Sequence, residues 1–203
     1  MILTPIPRDR LEGTLARFAS RLPPQAGRVL AEIRATSPDR ASSPLAERHR
    51  EQALAFARRC GMAIHPAGTP CRFNWDGAAL DGDTDAYVIL HEVAHFVLAP
   101  PERRVLVDFG LGPGPDTRDR AAAAAAAIID PLAGEADEAA ASLLGIMWEA
   151  ALGQPALASF LDQNWLEGVD RSAAPHFQAV LKQLRQRGLL DPELRLRIGE
   201  CRP

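Results

Sequence analysis

The sequence predicts a mainly helical protein with little sheet, folded as a single domain. Apolar residues recur at three- and four-residue spacing through the first part of the chain, a strongly apolar stretch surrounds residue 93, and a long alanine-rich stretch begins near residue 134. A chain of 203 residues can bury one substantial core. We therefore expect one domain over residues 1–203, with residues 1–62 forming a helical region packed on the rest.

The N-terminal region is expected to contain three surface helices. They cover residues 8–22, 24–35 and 44–60, where apolar side chains alternate at helical spacing with arginine and glutamate. Proline interrupts the pattern between them. Residues 62–82 hold too many prolines and glycines for a helix, so we expect a loop there with a short strand near residues 71–75.

A central buried helix is expected over residues 85–99. Its apolar side chains surround the helix axis, which is typical of a helix that is buried on all sides, and Pro100-Pro101 ends it. Beyond it, residues 104–109 (RVLVDF) are the best strand candidate. The seven alanines at 121–127 suit a helix or a mobile loop, and further helices are expected at residues 134–152, 155–165, 174–187 and 192–198.

Composition narrows the class of protein. A formal net charge of −3 with 47% apolar residues is ordinary for a globular protein and gives no sign of a nucleic-acid partner. No apolar run is long enough for a membrane span, and the start MILTPIPRDR lacks the features of a leader, so we expect a cytoplasmic protein. Cys60, Cys71 and Cys201 are widely spaced and form no CxxC pair, and we expect reduced thiols.

The stretch HEVAHFVLAP, residues 91–100, contains the pattern His-Glu-x-x-His. On a helix, His91 and His95 lie one turn apart on the same face and can bind one divalent ion together. Glu92 projects to the side, where its carboxylate can take a proton from metal-bound water or from a substrate. Two histidines inside a buried helix would be costly without a partner, so the pattern favours a metal site.

A third ligand must come from elsewhere, and the alanine-rich helix offers Glu135 and Glu138. We favour Glu138, because Ser142 lies one turn further on the same face and could contact a ligand histidine. Asp130 and Asp137 remain alternatives. A set of two histidines and one glutamate serves zinc in hydrolysis and iron(II) in oxygen chemistry, so the ligands alone do not identify the metal.

The segment HEVAHFVLAPPERRVLVDFGLGPGPDTR, residues 91–118, resembles the bacterial elongation factor P hydroxylases in the order and spacing of its motifs. The matching positions are His91, Glu92, His95, Phe96, Ala99, Arg103, Arg104, Val107, Asp108, Phe109, Gly110, Pro115, Asp116 and Arg118. A further segment, residues 150–166, is similar to a later part of the family, and that alignment places Glu138 at the carboxylate position of the family.

The resemblance implies a metal-dependent hydroxylation of a modified lysine on elongation factor P, by a fold unlike the 2-oxoglutarate oxygenase barrel. It implies that His91, His95 and Glu138 hold iron(II), with zinc as the alternative. It further implies that Glu92 or Asp108 handles protons or the lysine ammonium group. Arg104 and Arg118 would then position the site or the protein substrate. From the residues alone, Asp108 could instead form an ion pair with Arg103 or Arg104.

The chain departs from the family at aromatic positions. Leu111-Gly112-Pro113 replaces an aromatic run, and Phe96 replaces a tryptophan. These departures keep the metal ligands and leave room for a related hydroxylase with another protein target. Three hypotheses follow: an iron-dependent lysine hydroxylase acting on an elongation factor P-like protein, a zinc metallopeptidase with Glu92 as general base, and a metal-stabilised scaffold that binds a translation factor.

Overall fold

A computed structural model describes residues 6–114, 117–166 and 173–197, and it is mainly helical, as predicted. The α-helices are α1 Arg8–Ala19, α2 Pro24–Arg34, α3 Leu45–Arg59, α4 Ala86–Leu98, α5 Pro101–Arg104, α6 Arg120–Ala126, α7 Pro131–Ala151, α8 Ala156–Asp162 and α9 Ala173–Gln186. A 3-10 helix covers Val107–Gly110.

Helix α4 is the centre of the fold, which confirms the prediction of a buried central helix. It packs between α3 and α7, and Ile89, Leu90, Val93 and Ala94 have no exposed surface. Burying four apolar side chains of this kind removes a large apolar area from water, which is the main source of stability for such a helix. Two of the elements that carry the candidate site, α4 and α7, are therefore held rigidly against each other.

The remaining helices surround this pair. Helices α8 and α9 pack on α7, α2 contacts both α7 and α8, and α1 packs on α9. Phe18, Phe160, Phe177 and Trp165 form a cluster of edge-to-face and stacked rings where these helices meet. This aromatic core buries the apolar faces that the sequence predicted for α1 and α9.

Strand structure is confined to isolated bridges within the described residues. Trp75 pairs with Leu80, which in turn pairs with Ile64, and Leu190 pairs with Leu196. The short strand expected near residues 71–75 is thus reduced to a single bridge at Trp75. The alanines at 121–127 were predicted to form either a helix or a mobile loop. Those up to Ala126 lie in α6.

The predicted strand at residues 104–109 is wrong. Arg104 ends α5, and the 3-10 helix begins three residues later, with Asp108 and Phe109 at positive φ angles of 44° and 54°. The strand-forming residue types were misleading here, because the described residues form only isolated bridges and offer this segment no strand to pair with. The backbone N–H of Asp108 donates instead to the carbonyl of Trp75, at 3.0 Å.

The predicted helix at residues 192–198 is also wrong over its described part. The Asp191 carboxylate accepts from the backbone N–H of Arg195, and its backbone pairs with Arg195 and Leu194, which closes a turn. Asp side chains compete in this way with helical hydrogen bonds. Leu194 has a positive φ of 61°, which interrupts a helix. Ile198 lies outside the described residues.

The described cysteines differ in their oxidation state. Cys71 is a free, buried cysteine, as expected, whereas Cys60 is disulfide-bonded, which corrects the expectation of a reduced thiol at that position. Spacing along the chain did not reveal this, because disulfide pairing depends on distances between Cα atoms in the fold. Cys201 lies outside the described residues.

None of the described helices combines the length and the apolar character that crossing a membrane requires.

Candidate metal centre

Two turns of α4 and one turn of α7 bring together three side chains of the kinds that bind metal ions. The Nε2 atoms of His91 and His95 lie 3.0 Å apart. Glu138 reaches both, with carboxylate oxygens 3.4 Å from His91 Nε2 and 3.4 Å from His95 Nε2. Among the described residues this is the group of His, Cys, Asp and Glu side chains with the spacing that a metal ion needs.

The donor set fits a single divalent transition metal. Ligand atoms at about 2.0–2.1 Å from one ion, separated by angles between a right angle and the tetrahedral angle, lie roughly 2.9–3.4 Å from each other. The three measured separations, 3.0, 3.4 and 3.4 Å, fall in this interval. Two imidazoles with one carboxylate suit iron(II) and zinc, whereas calcium and magnesium prefer oxygen ligands alone.

The close approach of α4 and α7 depends on Gly145. A Cβ atom at this position would lie 3.3 Å from both the backbone nitrogen and the Cα of His91. Glycine therefore lets the backbone of α7 contact the backbone of α4 directly beside a donor residue. At the start of α7, the Asp130 carboxylate accepts from the backbone N–H groups of Leu132 and Ala133, which caps the helix.

Exposure rises steadily across the centre. The side chain of His95 is 5% exposed, that of His91 23% and that of Glu138 52%. Desolvation raises the pKa of Glu138, but hydrogen bonds and charge interactions with His91 and His95 outweigh it and hold the pKa well below its usual range. Glu138 is therefore a carboxylate ready to accept a cation.

Glu92 lies beside the centre and is buried. Its Oε1 atom accepts a hydrogen bond from Asn74 Nδ2 at 3.2 Å. Burial raises the pKa of Glu92, while the nearby histidines and Asn74 oppose the shift and the charge of Asp108 adds to it. A carboxyl group with a raised pKa beside a candidate metal centre suits a role in accepting and returning a proton.

Asp108 approaches the centre from the 3-10 helix. Its Oδ2 accepts from the hydroxyl of Thr117 at 2.8 Å, and its charge interacts with those of His95 and Glu138. Burial raises its pKa, and the Thr117 hydrogen bond opposes this. Asp108 and Phe109 both have positive φ, a conformation that costs L-residues about 1–3 kcal/mol each and that is concentrated at functional sites.

An aromatic stack closes one side of the centre. The ring of Phe109 is stacked on the imidazole of His95, with centroids 5.6 Å apart, and the ring of Trp75 is stacked on Phe109, also at 5.6 Å. Phe109 is almost completely buried, so it keeps water from that face of His95.

Sequence analysis missed three of these residues. Asn74, Thr117 and the stacking role of Phe109 come from loop segments, where residue spacing does not indicate which side chains will meet. The resemblance did include Phe109 in its motif, without a role. Two other motif positions, Pro115 and Asp116, lie outside the described residues.

The two arginines predicted to bind substrate make main-chain contacts. Arg104 donates from Nε to the carbonyl of Ala99 at 3.0 Å, and its guanidinium lies over the Phe96 ring. Arg118 donates from Nη1 to the carbonyl of Cys71 at 2.6 Å and is otherwise exposed. Neither arginine is in a described contact with His91, His95 or Glu138.

The alternatives for the third ligand have other surroundings. Asp130 caps α7, Asp137 pairs with Arg103 at 2.6 Å, and Glu135 is exposed. Asp108 accepts a hydrogen bond from Thr117, and the described ion pairs include none between Asp108 and either Arg103 or Arg104. Ser142 was expected to contact a ligand histidine. Its hydroxyl instead accepts a hydrogen bond from Trp165 Nε1 at 2.8 Å.

Comparison with known families supports the resemblance described above. The family model of elongation factor P hydroxylase matches residues 85–142. This segment runs from the start of α4 into α7 and spans His91, Glu92, His95, Asp108 and Glu138. Searches of curated proteins and of solved structures gave no match.

Proposed function

We propose that this protein is a metal-dependent hydroxylase that acts on a lysine side chain of a protein substrate resembling elongation factor P. One observation carries the proposal: the donors of two histidines and one glutamate converge within the segment that matches the elongation factor P hydroxylase model. A three-ligand site of this type leaves coordination positions open for a reaction. The substrate and the reaction would place the protein in the cytoplasm.

His91, His95 and Glu138 would hold iron(II), and zinc is the alternative metal. Bound iron(II) would supply the activation of oxygen. The overall hydroxylation would consume two electrons from a donor and release water together with the hydroxylated product. Glu138 contributes a negative charge on the exposed side of the centre, and Phe109 excludes water from the buried side. These residues thereby define the direction from which a substrate can approach.

Glu92 and Asp108 would handle protons. Burial raises the pKa of both carboxyl groups, which suits groups that exchange a proton with a substrate. In their ionised form they also favour a cationic side chain such as a lysine ammonium group. Arg118 is exposed, so it can meet an acidic side chain of the protein substrate; Arg104, partly buried, would support the same surface through its contact with Ala99.

The decisive experiment is intact-mass spectrometry of elongation factor P from host cells with and without this gene. We expect a gain of one oxygen atom when the gene is present and loss of that gain in His91→Ala. His176→Ala is a suitable control, because His176 is exposed on α9 and is not among the converging donors. An unchanged mass with the gene present would exclude this substrate.

A zinc peptidase is the second candidate, and the position and burial of Glu92 favour it. In the pattern His-Glu-x-x-His, this glutamate is the expected general base for attack by metal-bound water. Zinc-loaded protein should then cleave casein or a peptide library, and chelation should abolish the cleavage. Hydroxylation of elongation factor P without cleavage would exclude the peptidase.

A scaffold without catalysis is tested by Glu92→Gln. Both enzymes predict that turnover is lost while metal binding persists, because Glu92 is not one of the three converging donors. Unchanged biological activity of this variant would instead support the scaffold that binds a translation factor.

A further inference from the structure

Arg103 connects two parts of the candidate centre through a single buried guanidinium group. It is 8% exposed and lies at the end of the short helix α5. Its Nε atom donates to the carbonyl oxygen of Phe109 at 2.9 Å, and its Nη1 atom donates to Asp137 Oδ2 at 2.6 Å. The first bond reaches the 3-10 helix, and the second reaches α7.

The bond to Phe109 supports an unfavourable backbone conformation. Asp108 and Phe109 both have positive φ, so the segment needs partners that hold it. The backbone N–H of Asp108 donates to Trp75, and Arg103 binds the carbonyl at the other end of the two-residue turn. This turn sets the position of the Asp108 carboxylate and of the Phe109 ring that is stacked on His95.

The bond to Asp137 reaches the residue that precedes Glu138. Asp137 is buried and also accepts from Arg187 Nη2 at 3.0 Å, so its carboxylate is held by two guanidinium groups. Glu138 itself is half exposed, and the backbone of α7 at this turn determines where its side chain starts. Fixing Asp137 therefore fixes the origin of the Glu138 side chain.

We propose that Arg103 is a positioning residue, which holds the carboxylates of Asp108 and Glu138 in register with His91 and His95. The role requires arginine, because the planar guanidinium directs separate N–H groups to two acceptors, whereas a lysine ammonium group at the same place cannot reproduce this fixed geometry. The proposal rests on the metal site of the proposed function. It adds a residue that is not one of the converging donors.

The test is Arg103→Lys, with Arg187→Lys as the matched control. Both substitutions keep the charge, and both arginines pair with Asp137, but Arg103 alone of the two bonds Phe109. Purified proteins are titrated with cobalt(II), which substitutes for iron or zinc and has a visible spectrum that reports coordination geometry. Affinity is measured by calorimetry and the apo-protein melting temperature by circular dichroism.

We expect Arg103→Lys to weaken cobalt(II) binding at least about 10-fold and to alter the visible spectrum, as substitution of groups that orient metal ligands commonly does. Arg187→Lys should bind within about 2-fold of the parent protein, because Arg103 still holds both Asp137 and the Phe109 carbonyl in that variant. If Arg103→Lys lowers the melting temperature but keeps the parental affinity and spectrum, its role is structural and the proposal is overturned.

Two further outcomes are decisive. If Arg103→Lys does not fold, Asp137→Asn provides the test, since it removes the charge that anchors Arg103 and keeps the size of the side chain. Parental cobalt(II) affinity in Asp137→Asn overturns the link between Arg103 and Glu138. If the parent protein binds no cobalt(II), iron(II) or zinc, the proposed metal site is wrong, and the positioning role is wrong with it. If the parent protein binds metal and the variants bind it with the same affinity, only the positioning role is wrong.

Discussion

Two glutamates on one face of α7 have opposite electrostatic surroundings. Glu138 and Glu149 are eleven residues apart, about three helical turns, so both point toward the same side of the helix. Glu138 faces two imidazoles at the candidate centre, and its pKa is held low. Glu149 is 2% exposed, and burial raises its pKa to about 7.

The partners explain the difference. Glu149 has Arg40 at 3.7 Å, but Arg40 also binds Asp162 at 2.8 Å and Ser159 at 2.8 Å, so its charge is shared. Ser159 and Arg40 lower the pKa of Glu149, although burial has the larger effect. One helix thus presents an anionic carboxylate where a cation can bind and, toward its other end, a buried carboxyl group whose pKa is raised to about 7. The comparison suggests four measurements.

The largest expected effect is the difference in metal affinity between variants of the two glutamates. Glu138→Gln removes a charged donor and should weaken binding of cobalt(II) or zinc by more than about 100-fold, beyond the effect typical of residues that only orient ligands. Glu149→Gln is the matched control and should leave affinity unchanged. Calorimetric titration measures both. Equal affinities for the parent and Glu138→Gln would show that the third ligand lies elsewhere.

The second effect concerns stability against pH. Because the folded pKa of Glu149, about 7, lies above its ordinary value of 4.5, its contribution to stability is fully present below pH 4.5 and is lost as the pH rises through 7. Glu149→Gln should therefore equal the parent near pH 4.5 and exceed it at pH 8.5 by roughly 3 kcal/mol. Denaturant unfolding at several pH values measures this. Parallel curves would mean that Glu149 titrates normally.

The third effect concerns the helix contact between the two glutamates. Gly145→Ala puts a methyl group against the His91 backbone, where overpacking costs about 1–3 kcal/mol and better helix propensity recovers up to about 1 kcal/mol. We expect a net loss of about 1 kcal/mol in thermal unfolding. Gly27→Ala in α2, with open space around it, should be slightly stabilising. A stabilised Gly145→Ala would show that α4 and α7 separate easily.

The smallest effect should come from Glu135→Gln. Glu135 precedes Glu138 by less than one turn and is exposed, and it was the rival third ligand in the sequence. Its substitution should change cobalt(II) affinity by less than about 2-fold, since it is not among the converging donors. A loss as large as that of Glu138→Gln would assign it a direct role at the metal.

Helical spacing made one half of the centre predictable. His91 and His95 follow from their four-residue separation, and the amphipathic or wholly apolar patterns located α1–α4, α7 and α9 to within a few residues. Glu138 was favoured over Glu135 because of Ser142, yet Ser142 accepts a hydrogen bond from Trp165. The carboxylate of Glu138 lies 3.4 Å from both imidazoles, a proximity that the argument from Ser142 did not explain.

The loop half of the centre could not be predicted in the same way. Asn74, Asp108 and Thr117 are brought together by positive φ angles and by hydrogen bonds between distant segments, neither of which leaves a periodic pattern. RVLVDF has the composition of a strand, but its backbone bonds to Trp75 within a tight turn. Local propensity was overridden there by tertiary contacts.

The rise in exposure from His95 through His91 to Glu138 has a kinetic consequence. A chelator arriving from solvent meets the half-exposed carboxylate first and the buried imidazole of His95 last. Release of an ion held by these three groups would therefore proceed in a fixed order, with the carboxylate exchanged early and His95 retained until the end. Slow extraction by bulky chelators and faster extraction by small ones is the expected signature of such an order.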